Sequence, residues 1–369
     1  MLLFTPGPTP VPERVRQAMA VPSLHHRTPE FTKIFKEARE LLLDLLKMED
    51  AVMFASTGTG AMEACVTNLC EKKALIVNAG KFGERFVKIA KAFGKEVVEL
   101  RYEWDTAAKL DDVKEALKEH PDIDAFFIQI CESSGGLRHP VEDIAALIKA
   151  IDPDITVVAD GITAVGVEPI DTTHIDALIA GSQKALMLPP GLSMVGLSHH
   201  AMRKLGDGSG FYFNIASELK KQREGTTAYT AATTLIIGLR EILTIMIKEI
   251  GLDEIYDQTD RRATATRVAL EGLGLQLYPE KPANAMTAIY DEQADEIRRI
   301  MKNRYGVNVA GGQDHLKGKL FRINHMGLIE PHEASWVVNA VEMALRDLGR
   351  LEYKGQANRV FNEIYYFEE

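Results

Sequence analysis

The stretch "IDALIAGSQKALMLPPG", residues 175–191, decides how the chain is read. Its apolar start "IDALIAG" is short enough for a buried strand, stops at Ser182 and Gln183, and is followed by a Pro-Pro-Gly that cannot continue a helix. Between the two apolar parts stands one charge, Lys184. Lysine is strongly hydrated and seldom fully buried without a partner, so here it is either an escaped surface residue or a reactive amine.

Working outward, short runs rich in Val, Ile, Phe and Ala alternate with longer helix-patterned segments, which is the signature of a sheet covered by helices. Seven runs read as strands: "AVMFAS", "KALIVNA", "EVVELRY", "DAFFIQI", "ITVVADG", "DALIAGS" and "MVGLSH". Helices fall between them at "GAMEACVTNLC", "FGERFVKIAKAFG", "LDDVKEALKEHP" and "PVEDIAALIKAI". The expectation is an α/β fold with a mostly parallel seven-stranded sheet. After about residue 250 the pattern changes to a long polar helix, strand-like "AMTAIY" and "LFRINHM", and a last long helix from Pro331. That predicts an N-terminal extended segment over 1–20, a large domain over 21–250 and a smaller α+β domain over 251–369.

Composition narrows the chemistry. With 46% hydrophobic residues, 26% charged residues and a net charge of −10 the chain is ordinary globular material, and its basic residues form no stripe for a polyanion. Small-molecule chemistry is favoured, with neither nucleic acid nor membrane as partner. Cys65, Cys70 and Cys131 lack paired zinc spacing, and an odd number fits a reducing cytoplasm. No metal site is expected, since His25 and His26 have no further ligands clustered with them. The opening "MLLFTPGPTPVPE" does not read as a signal peptide, and no run reaches the ~18 apolar residues of a membrane span.

In open α/β sheets ligands bind beyond the carboxyl ends of the strands, and four of those ends carry chemistry. "FASTGTGAMEA" is a strand, a small-residue turn at Thr57, Gly58 and Thr59, then a helix; it is a phosphate cradle or simply a capped turn. It lacks the Gly-Lys-Ser/Thr of a Walker motif, and Asn78 stands where a nicotinamide dinucleotide enzyme would want a ribose-binding acid. Asp160 closes "TVVADG", where it either caps a helix or faces a protonated ring nitrogen. Ser133 and Ser134 follow a third strand, as turn formers or as donors to a ring oxygen. Phe82 follows a fourth, to stack on a flat heterocycle or to fill the core.

An acid and then a lysine on nearby strands is what pyridoxal phosphate needs, and at this point the chain resembles the fold-type I pyridoxal phosphate enzymes, within them the class V aminotransferases. The likeness runs from "TPGPTPVP" and "HHRTPEF" through "STGTGAMEA", "GKFGER", "ESSGG", "VADGITAVG" and "GSQKALMLPPG" to "KLFRINHMG". It is nearest to the alanine:glyoxylate, serine:pyruvate and serine:glyoxylate enzymes. The resemblance implies that Lys184 joins the cofactor and later serves as base, that Asp160 pairs with the pyridine nitrogen, and that Phe82 and Ile162 cover its two faces. Thr57, Gly58, Thr59 and Gln183 would hold the phosphate, and Ser134 or Ser133 would reach the ring hydroxyl.

By the same resemblance a second subunit completes the phosphate site with Thr230 and with Thr227 or Tyr229, making a homodimer. Arg322 would clamp the substrate carboxylate, the alternative being a surface ion pair, and His26 beside Arg27 would help line the site. The implied reaction is a ping-pong transfer of an amino group from alanine or serine to glyoxylate or pyruvate. The rival within the fold is a 2-aminoethylphosphonate:pyruvate aminotransferase. A cysteine desulfurase would need a reactive thiol late in the chain, and none follows Cys131.

Overall fold

The computed structural model describes residues 1–367. Its strands in chain order are β1 (Leu2–Phe4), β2 (Asp50–Phe54), β3 (Lys73–Asn78), β4 (Glu96–Arg101), β5 (Ala125–Gln129), β6 (Cys131–Glu132), β7 (Leu137–Arg138), β8 (Thr156–Asp160), β9 (Ala177–Gly181), β10 (Ser193–Leu197), β11 (Gln276–Leu277), β12 (Met286–Tyr290), β13 (Val307–Gly311) and β14 (Leu320–Asn324). The seven runs read as strands form one sheet in the order β2-β10-β9-β8-β5-β3-β4. Only β10 runs against its neighbours β9 and β2, while the remaining pairs are parallel. Helical crossovers cover both faces of such a sheet, so its inner strands bury every residue and read as nearly unbroken apolar runs.

The helix Pro29–Leu46 shows how sequence sets one of those covers. Thr28 accepts from the Phe31 N–H at its start, and proline occupies the first turn, where no N–H partner is needed. Phe31, Phe35, Ala38, Leu42 and Leu45 recur at helical spacing and are buried, so one face meets the helix Thr233–Leu243 and the sheet. Emptying a site such as Leu42 to alanine would cost about 2–5 kcal/mol. Lys47 in a left-handed conformation ends the helix.

A second sheet, β1-β13-β14-β12-β11, is backed by helices Leu252–Glu271, Ala294–Tyr305 and Pro331–Asp347. Its edge is unexpected: β1 pairs in parallel with β13, Leu2 opposite Val307 and Phe4 opposite Val309. Within residues 1–20 the chain then passes into a short helix, Glu13–Met19. The helix from Pro331 is not the last. A further one, Gln356–Phe367, buries Ala357, Phe361 and Tyr365, an i, i+4 stripe. Positions 368 and 369 of the expected C-terminal domain lie outside the described residues. No helix among the described residues is long and apolar enough to cross a membrane.

Candidate active site

Lys184 lies three residues beyond β9, in a connection to β10 pinned by its own hydrogen bonds. The Met187 N–H donates to the Lys184 carbonyl, and the Ser182 hydroxyl donates to the Pro189 carbonyl. The N-terminal segment packs over it. Thr9 donates its hydroxyl to the Lys184 carbonyl at 2.7 Å and its N–H to the Gln183 carbonyl at 3.1 Å, while Lys184 Nζ donates to the Pro6 carbonyl. A side chain on Gly7 would come within 2.9 Å of Nζ, so glycine is what lets the segment approach. No carboxylate pairs with this amine among the described residues. Burial pushes its pKa down to about 8, with the Arg322 charge adding to the shift and Asp160 opposing it. The neighbouring Cys131 thiol is itself pushed up by burial and stays neutral. Lys184 is thus a nucleophilic amine poised near neutral pH.

Asp160 ends β8, and one of its oxygens accepts from the Ile162 N–H at 2.9 Å. Burial pushes its pKa up to about 7, the Ile162 bond working against that and Glu132 with it. A carboxyl in this position ionises readily only beside a cation, which is the role a protonated ring nitrogen would fill.

Asp160 and Lys184 meet at a single cavity of about 180 Å³. Thr57, Gly58, Thr59, Phe82, Ile162 and Gln183 also line it, so residues from four separate strand ends converge there. Helix Gly58–Leu69 presents its N-terminus with no side-chain cap from Thr57, leaving first-turn N–H groups for an anion. Ile162 lies so close to Gly58 that a Cβ there would be 2.3 Å from its Cδ1. The Gln183 side-chain oxygen is buried without a partner. Larger hollows exist, including one of about 430 Å³ beside Leu45, Pro169 and Tyr256, but the lysine at its rim, Lys47, is exposed.

Other expected residues fall outside the cavity lining. The Ser134 hydroxyl is spent on Glu132 at 2.6 Å and on the Lys81 N–H, and Ser133 presents its carbonyl to Arg322. The Ser134 hydroxyl is engaged because the loop turns it into Glu132 and the backbone. Thr227 donates to the Tyr229 carbonyl, and the Tyr229 hydroxyl to the Phe211 carbonyl. With Thr230 they flank a separate small hollow next to Phe54 and Leu192. His26 stacks on His25 ahead of helix Pro29–Leu46, with ring centroids 4.7 Å apart. Arg322 on β14 is buried, and its guanidinium donates to the Ser133 and Gly311 carbonyls, both at 2.6 Å.

Three lining residues went unnoticed in the sequence: Arg85, Cys131 and Thr163. Arg85 had a signal, since it sits one helical turn after Phe82 in "GKFGER" and so shares its face. Glu132 had one too, an acid between the apolar strand "DAFFIQI" and a turn. It is fully buried and accepts from the N–H groups of Phe82, Gly83 and Ser134.

An amine, a facing acid and an anion-binding helix end at the edge of a mostly parallel sheet define a fold-type I pyridoxal phosphate enzyme. The chain belongs to the class V aminotransferase family, whose pattern it matches over residues 1–328. It is 50% identical over 367 residues to an uncharacterized aminotransferase of Helicobacter pylori, covering 99% of this chain and all of that one. It is 31% identical to the serine–glyoxylate aminotransferase of Hyphomicrobium methylovorum, over 94% of this chain and 90% of the other. Among solved structures it resembles a subgroup IV aspartate aminotransferase from Thermus thermophilus, with TM-score 0.87 and 31% identity over 94% of this chain and 99% of that one.

Pyridoxal phosphate is accordingly the cofactor, and the residues present fit it. The open helix end, the ring of Phe82, the Asp160 carboxyl and the Lys184 amine are the donor and acceptor set that a phosphorylated, cationic ring requires. When bound, the cofactor supplies an electron sink for the substrate carbon.

Proposed function

We propose that this aminotransferase moves the amino group of a small amino acid, alanine or serine, to a 2-oxo acid such as glyoxylate or pyruvate, by ping-pong kinetics. The observation that carries the reading is the Lys184 amine, depressed to about 8 and set in the same cavity as Asp160. Once displaced by an incoming amino group, a neutral Lys184 amine would accept the proton leaving the substrate α-carbon and deliver it to the carbon on the other side of the transferred nitrogen. Asp160 keeps the ring nitrogen protonated throughout. Thr57, Gly58, Thr59 and Gln183 hold the phosphate, Phe82 and Ile162 enclose the ring, and Arg322 receives the substrate carboxylate.

The name of the Hyphomicrobium relative supports serine as donor and glyoxylate as acceptor, while that of the Thermus structure brings aspartate into question. In this reading the enzyme works as a homodimer, with Thr227, Tyr229 and Thr230 reaching the partner's phosphate site, and in the cytoplasm, which its three free buried thiols suit. The test is a half-reaction screen of the purified holoenzyme by absorbance. Alanine and serine should bleach the cofactor band within the mixing time of a slow assay, whereas a response to aspartate or 2-aminoethylphosphonate alone would refute the assignment. Borohydride should fix the cofactor onto Lys184 in the wild type and leave Lys184→Ala unlabelled.

A further inference from the structure

We propose that Arg85 is a charged ligand of the cofactor phosphate, supplied by helix Lys81–Ala92 to the open N-terminus of helix Gly58–Leu69. The inference rests on the reading of the cavity given above and adds a residue to it. Arg85 Nη1 donates to the Thr59 hydroxyl at 2.9 Å, and Thr59 is the second residue of the helix whose first turn lacks a side-chain cap. Its guanidinium carbon stands 4.7 Å from the centre of the Phe82 ring, so stacking fixes the plane of the donor group. Other partly buried arginines of this chain, such as Arg39 and Arg138, are neutralised by Asp50 and by Glu142 and Glu168. Arg85 forms no ion pair among the described residues and lines the cavity.

A whole positive charge beside the partial positive charge of a helix end is unfavourable unless an anion lies between them. A full guanidinium charge beside a helix end worth about half a charge suits a phosphate dianion better than a singly charged group, and a planar guanidinium fits it better than a point charge. The second guanidinium, Arg322, stands apart, held by the carbonyls of Ser133 and Gly311. A cofactor joined to an amino acid has one anionic group at each end, the phosphate and the carboxylate. Arg85 is on the side of the phosphate loop, not of the carboxylate clamp.

The test compares the binding of pyridoxal phosphate and of pyridoxal, which lacks the phosphate, to apo-protein by quenching of intrinsic fluorescence. Arg85→Gln should weaken pyridoxal phosphate by about tenfold to a hundredfold, the range of a charge-assisted hydrogen bond, and leave pyridoxal unchanged. Arg85→Lys should fall between that variant and the wild type, and inorganic phosphate should protect the wild type against cofactor uptake more than either variant. Equal losses for both ligands would mean that Arg85 acts through the Phe82 stack, and an unchanged affinity would mean that it does not touch the cofactor; each overturns the proposal. If Arg85→Gln fails to fold by circular dichroism, Arg85→Lys and the phosphate competition decide. A wild type that binds neither ligand, or that borohydride cannot label at Lys184, would instead defeat the reading of the cavity itself.

Discussion

Arg322 on the second sheet is locked at 2.6 Å to the carbonyl of Ser133, the residue after β6 in the short β6–β7 pair that follows β5 of the first sheet. The contact holds one planar donor at the seam between the two sheets, and burial lowers its pKa to about 10 without removing its charge at neutral pH. Arg322→Lys keeps the charge and loses the fork. The expected outcome is a donor KM raised about tenfold to a hundredfold with a smaller change in kcat and with unchanged cofactor affinity. Steady-state kinetics at an unaltered KM would take the substrate carboxylate away from this residue.

Lys184 makes the apo-protein's chemistry depend on pH in a specific window. Only the neutral amine attacks the cofactor aldehyde, so the rate of cofactor uptake should rise with pH to a plateau with its midpoint near 8, not near the ordinary 10.5. Stability should move the same way. Between 8 and 10.5 the unfolded chain still carries the proton that the folded one has lost, so the apo-protein gains stability there as pH rises, relative to Lys184→Met. Stopped-flow absorbance and melting curves across pH 7–11 would register both; a midpoint above about 10 would contradict a desolvated amine.

Gly58 and Ile162 are in a contact that only glycine allows, since a new Cβ would lie 2.3 Å from Ile162 Cδ1. Gly58→Ala should cost about 1–3 kcal/mol by overpacking, and it should loosen the ring face that Ile162 covers. Removing the offending methyl offers a direct check. The double variant Gly58→Ala/Ile162→Val should regain most of the lost melting temperature, and no recovery would place the strain elsewhere.

Glu132 is fully buried, and its carboxylate accepts from three backbone N–H groups and the Ser134 hydroxyl. Burial raises its pKa and those bonds work against the rise. Glu132→Ala would strand several buried donors at about 1–3 kcal/mol each, so a large fall in melting temperature is expected. Glu132→Gln should fall less. Because two of the donors belong to Phe82 and Gly83, both variants should also bind cofactor more weakly; an undiminished affinity would separate Glu132 from the ring-stacking face.

Much of this was legible in the sequence for a local reason. Most strands of the large sheet declare themselves because burial on both faces leaves unbroken apolar runs, the exposed edge strand β4 excepted, and Asp160 and Lys184 stand out as charges that interrupt them. What stayed hidden depends on contacts distant along the chain. That Ser134 spends its hydroxyl on Glu132 follows from how one loop folds back on itself, and Arg85 gains significance only because Thr59, 26 positions earlier, is its neighbour. The helix Gln356–Phe367 went unread because the core that Ala357, Phe361 and Tyr365 pack into is assembled from elements distant along the chain.

The pairing of β1 with β13 imposes an order on the chain's assembly. Leu2, Leu3 and Phe4 are made long before Val307, Asn308 and Val309, the residues they lie opposite. Pro6 and Thr9, carried by the same segment, can therefore be held over Lys184 by that pairing only once β13 has been made. Weakening the parallel pairing of β1 with β13 would in turn loosen the cover over Lys184.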